Sequence, residues 1–183
     1  AVEDWLRFMD QGVPALEQAG WRIEVDPSFR FPVGRVGDWD LDIEEGEGGR
    51  WLDLSLGIEV DGERLDLLPI LVNLIQNPEV DLSGPALARI NEDTRFILRL
   101  DDGRYIFFPA ARLKPILSTL VELYDPMARL RGDGRMRLSQ LQATELAELE
   151  QQAPELRRRG GEQARAWGRR LREFERIEPG APP

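Results

Sequence analysis

Six carboxylates crowd into one stretch: Asp38, Asp40, Asp42 and Glu44 in "DWDLDIEE", then Asp53 and Glu59 in "WLDLSLGIEV". Paired carboxylates are the usual material of general acid–base sites and of oxygen-only cation sites. A metal held here would be magnesium or calcium, because oxygen is the only ligand type on offer. The chain has no histidine and no cysteine. That removes Ser-His and Cys-His nucleophile pairs, imidazole or thiolate zinc sites and disulfides. Beyond carboxylates the inventory is one lysine (Lys114), two tyrosines and a few hydroxyls. The six carboxylates also fall on alternate positions of period-two runs, where a solvated sheet face needs polar groups. That reading makes them surface, with no metal, no cofactor and no enzyme in this chain.

A second candidate is cationic. Arg165, Arg169, Arg172 and Arg176 recur at i, i+4, i+7 and i+11, with Arg157, Arg158 and Arg159 just upstream. On a helix the first four form one stripe, opposite Trp167, Leu171 and Phe174. Glu162 and Glu173 flank the stripe and dilute it through helix-surface pairs. An ordinary amphipathic helix and an electrostatic contact surface both remain open. The glycines of "EEGEGGR" join two strands and lack the Lys and Ser/Thr of a phosphate loop. Five tryptophans (5, 21, 39, 51 and 167) offer stacking rings. Four of them sit among negative charges, so they read as core anchors.

The elements that position these groups follow from periodicity. "VEDWLRFMDQGVPALEQAGW" predicts two helical pieces broken at Gly12, the second stopped by Gly20. "WRIEV", "DWDLDIEE" and "WLDLSLGIEV" predict strands of an antiparallel sheet with one wet face. Asp61-Gly62 and Asp102-Gly103 each separate alternating runs, a strong hairpin signal. Each hairpin is followed by a similar helix, "LLPILVNLI" at 67–75 and "LKPILSTLV" at 113–121, the second delayed by five residues. An internal duplication explains this, as does coincidence between two ordinary helix starts. "QNPEVDLSGPALARINEDT" is a loop or weak helix, "RMRL" one more strand, and Ser139 with Gln142 a capping box before a short helix. "QQAPELRRRGGEQ" is broken by Pro154 and the Gly160-Gly161 pair.

Formal charge is −10, distributed as 12 basic and 24 acidic residues over 1–124 but 12 basic and 10 acidic over 125–183. The first part repels nucleic acid at long range, and any attraction comes from the tail. The preference for Arg over Lys, 23 to 1, is what a GC-rich genome produces. No apolar run approaches the ~20 residues of a membrane span and no charged-then-apolar leader opens the chain, so no membrane association is expected.

The ordered pieces "WLDLSLGIEVDGERLDLLPILVNLI", "LDDGRYIFFPAARLKPILSTLVELY", "LSQLQATELAELE" and "LREFERIEPGAPP" together resemble the helicase-associated region of bacterial Swi/Snf-type ATPases, over residues 14–183. In that family the region lies directly before the ATPase core, and the final Pro-rich segment leads into its first lobe. The resemblance implies a non-catalytic accessory or regulatory domain of an ATP-dependent DNA translocase. Its partners would be its own ATPase core in cis and, through the parent protein, duplex DNA. The phosphate loop, acidic box and arginine-finger motifs are absent here, so ATP and magnesium belong to the parent core. Starting at Ala1 and ending on "APP" suits an excised piece. The expectation is therefore an α+β domain over 1–124, an antiparallel sheet from two hairpin-helix units with helices on one side. A helical connector over 125–183 completes a monomeric, cytoplasmic chain that reaches the nucleoid through its parent. The alternatives are a stand-alone carboxylate- or metal-dependent enzyme and a free-standing protein-interaction domain.

Overall fold

The computed structural model describes residues 2–46, 50–124, 130–162, 166, 168 and 170. Helix α1 (Val2–Arg7), a π-helical turn (Phe8–Gly12) and α2 (Val13–Gln18) lead into β1 (Val36–Glu45), β2 (Trp51–Val60), β3 (Glu63–Asp66) and α3 (Leu68–Gln76). Then come α4 (Gly84–Arg89), β4 (Arg95–Arg99), β5 (Tyr105–Pro109), α5 (Ala110–Leu123), β6 (Met136–Ser139), α6 (Ala143–Gln152) and β7 (Arg157–Gly160). The fold is α+β, as expected.

The antiparallel β1–β2 hairpin is the spine, with Leu41 opposite Leu56 and Ile43 opposite Leu54. β3 pairs with the second half of β2 and β6 with its first half, while β7 joins β1 in parallel. Period-two alternation sends Trp39, Leu41, Ile43, Leu52, Leu54, Leu56 and Ile58 to one face. There they share a core with Leu71 of α3, Leu113 and Leu117 of α5, and Leu146 and Leu149 of α6. The second sheet, β4–β5, joins this core through Phe108, whose ring meets Trp39 edge to face at 4.9 Å. β5 is covered on both sides, Ile106 and Phe108 by the core and Phe107 on the other side, which accounts for its unbroken apolar run.

Both hairpin-helix units have the expected element order, and Leu71 and Leu117 are both fully buried. Their turns differ. Asp61 and Gly62 both take positive φ, 53° and 85°, and form a two-residue mirror-image turn between Val60 and Glu63. In the second hairpin only Gly103 does (φ 88°), closing a three-residue loop in which the Leu100 N–H donates to the Arg104 carbonyl. Pro69 sits in the first turn of α3, whereas α5 begins five residues before Pro115 and carries it internally.

Several sequence expectations need correcting. Gly12 does not break the N-terminal helix: it keeps helical dihedrals inside the π turn, where a Cβ would meet the Phe8 ring at 2.5 Å. Gly20 does stop α2 with φ 92°; its N–H and that of Trp21 donate to the Glu17 and Leu16 carbonyls. "WRIEV" forms no strand, because no neighbouring strand offers it a ladder. Trp39 is a core anchor at 3% exposure, but Trp5, Trp21 and Trp51 are 52%, 66% and 48% exposed. Trp167 lies outside the described residues. The segment beyond 124 supplies α6 and, through "RMRL", β6, but its three arginines form β7 rather than part of a helical connector. The reason is cross-strand charge: β7 sets Arg157 beside Asp40 and Arg159 beside Asp42 on the open edge of β1. The main sheet thus runs across the boundary expected at residue 124. Among the described residues no helix is long and apolar enough to cross a membrane.

Candidate functional site

The polar face of the main sheet brings the sequence-predicted carboxylates together with Arg64, Arg131, Arg135 and Arg137. The register lays Arg157, Asp40, Gly57 and Asp66 across four adjacent strands, with Arg159, Asp42 and Ser55 in the next row but one. Further along, Glu44, Asp53 and Arg137 make the row at the β6 end. Three register pairs set opposite charges side by side, Asp40 with Arg157, Asp42 with Arg159 and Asp53 with Arg137, while Glu44 and Asp53 are adjacent carboxylates.

The Asp40 carboxylate is gripped by Arg64, whose Nη2 and Nε donate to Oδ2 at 2.7 and 3.0 Å. Arg64 also donates from Nη1 to Asp66 Oδ1 at 3.1 Å. Its guanidinium lies over Gly57, where a Cβ would come within 2.6 Å of both Arg64 Cζ and Asp40 Oδ1. Gly57 is thus the gap through which a β3 arginine reaches a β1 aspartate. The contact leaves the Asp40 side chain only 14% exposed and raises the pKa of Arg64, chiefly through the Asp40 hydrogen bond. The expectation of a largely exposed Asp40 is corrected by this cover.

Asp53 is held just as tightly. Arg137 donates from Nε and Nη2 to its two oxygens at 2.9 and 3.1 Å, and Arg131 adds a bond to Oδ2 at 3.0 Å. The Arg137 hydrogen bond is the main cause that holds the Asp53 carboxyl below its ordinary range. Glu44 pairs with Arg135, and Asp38 with Arg157 at 2.7 Å. Asp42 sits half-buried in register with Arg159 and adds to the field that raises the Arg135 pKa. Glu59 is exposed on β2. Among the described residues no group of three or more carboxylates is arranged to hold a metal ion.

Of the predicted basic residues, Arg157 and Arg159 project from β7 on the polar face. Arg158 turns to the helix side, where Nη2 donates to the Glu150 carbonyl in the last turn of α6. A cation at a helix C-terminus satisfies an orphan carbonyl and complements the macrodipole. Arg165, Arg169, Arg172 and Arg176 lie outside the described residues, as do Leu171 and Phe174. The capping box at Ser139 is present: its N–H donates to Gln142 Oε1 at 2.9 Å. The arginines missed in sequence (Arg64, Arg131, Arg135 and Arg137) had one available signal. Arg64 and Arg137 occupy polar positions of short strands that flank Asp-bearing strands.

No protein-family model, curated protein or solved structure matches this chain.

Proposed function

We propose that the chain is a non-catalytic accessory domain of a bacterial Swi/Snf-type, DNA-dependent ATPase, and that it works by docking on its own ATPase core in cis. The observation that carries this reading is how the carboxylates are used. Asp40 and Asp53 accept several guanidinium hydrogen bonds each. Carboxylates engaged this way brace a sheet; they are poor candidates for accepting protons from a substrate or for ligating a cation. The order of pieces that carries the family resemblance adds to it: two hairpin-helix units, a capped helix, then an arginine-bearing tail. The two units are read as copies of one ancestral unit. ATP and magnesium belong to the parent core, and the setting is the cytoplasm, at the nucleoid through the parent.

The tail arginines test it. In the complete gene product, Arg165, Arg169, Arg172 and Arg176 are changed together to Ala, and DNA affinity is followed against salt alongside DNA-stimulated ATP turnover. Each lost phosphate contact flattens the slope of log affinity against log salt by about 0.9. An unchanged slope with altered turnover indicates docking on the core, the expected result. A flattened slope with intact turnover at saturating DNA indicates phosphate contact instead. No change in either removes the tail from the proposal.

A further inference from the structure

A cleft of about 460 Å³ opens between the N-terminal helices and the outer face of β5. Its apolar wall includes Val13, Ile23, Val25 and Phe107. The alternation of "WRIEV" finds its use here: Ile23 and Val25 line the cleft, while Arg22 and Glu24 pair with each other at 3.3 Å. Leu6 and Val13 are buried yet stand apart from the main core, so the N-terminal helices make their own contact with the body around this space.

The charges around the cleft do not balance. Arg35, Arg95 and Arg112 face it, against Asp10 and Glu17. Both carboxylates are taken, Glu17 by Arg35 at 2.8 Å and Asp10 by both of its oxygens on Arg95. Arg112 has no ion-pair partner among the described residues. One guanidinium is therefore left over in a chain whose net charge is −10. Burial pushes the Asp10 carboxyl above its ordinary pKa even beside Arg95. Arg112 is exposed at the rim of the cleft, away from this partly buried pair.

We infer that this cleft is a binding site for a small organic monocarboxylate with an apolar body, its carboxylate on Arg112 and its hydrocarbon against Val13, Ile23, Val25 and Phe107. The volume falls within the range of small-ligand pockets, and one unpaired arginine calls for one negative charge. The site is independent of the accessory-domain proposal and stands if that proposal fails.

The test is calorimetric titration of the 183-residue chain with octanoate, with 1-octanol as the neutral control. Saturable one-to-one binding of octanoate with Kd at or below about 1 mM is expected, an ordinary efficiency for a ligand of that size. Arg112→Gln should weaken it by about tenfold or more and Arg112→Lys by less, since lysine keeps the charge but loses the fork. Val25→Trp, which fills the cleft from an exposed position, should abolish it with charge intact. No saturable binding, equal binding of octanol, or an unchanged Kd in Arg112→Gln would each overturn the assignment. Binding of a peptide C-terminus but not octanoate would also overturn it.

Discussion

The Arg104 guanidinium ties together the two Asp-Gly turns of the chain, donating to Asp61 Oδ2 at 2.9 Å across the turns and to Asp102 Oδ2 at 2.8 Å within its own. Asp61 in turn accepts the Arg35 N–H through Oδ1 at 3.0 Å. The two hairpins are thereby fixed relative to each other at their tips as well as through the core. Arg104→Ala should destabilise the fold by about 1–2 kcal/mol, the range for a partly shielded set of charge-assisted bonds. Urea unfolding measures it. A double-mutant cycle with Asp102→Asn should give positive coupling; strict additivity would mean the contacts contribute nothing.

Gly57→Ala should cost about 1 kcal/mol by displacing Arg64 from Asp40, because the added methyl occupies the place of the guanidinium. Made in an Arg64→Ala background, the same change should cost much less. Equal costs in the two backgrounds would show that Gly57 answers to the backbone and not to the ion pair.

Leu71→Ala and Leu117→Ala should each cost roughly 2–5 kcal/mol by transfer and cavity terms, since both side chains are fully buried in the core. Chemical denaturation of each variant checks this. A loss under about 1 kcal/mol at either site would contradict the packing described.

Stability should fall in acid partly through Asp53. Its folded pKa is depressed, so its contribution is complete above the ordinary carboxylate value and is lost as pH falls through the folded value. The stability gap between the parent chain and Asp53→Asn should therefore narrow as pH is lowered from about 5 to about 2. A gap that stays constant over that interval would show that the guanidinium bonds do not act on the carboxylate.

Local chemistry made much of this fold legible. Asp-Gly pairs marked the hairpins, Gly20 a helix stop and Ser139 with Gln142 a capped helix start, because each acts within a few residues of itself. What escaped was non-local. "RRRG" reads as a charge run until β1 offers it Asp40 and Asp42 from more than a hundred residues away. Nothing local to Gly57 says that Arg64 lies across it. The alternation of "WRIEV" is real, but a hydrophobic period cannot say whether its apolar side meets a sheet or a cleft. The carboxylates were placed correctly on a polar face; their arginine partners were invisible because pairing depends on register.

The most direct measurement concerns the accessory role itself. The complete protein encoded by this gene is purified with and without residues 1–183, and ATP turnover is recorded with and without duplex DNA. DNA-stimulated turnover is expected in the complete protein, with a changed ratio of stimulated to basal turnover when the region is removed. A complete protein without ATP turnover, or a ratio unaffected by the deletion, would contradict it.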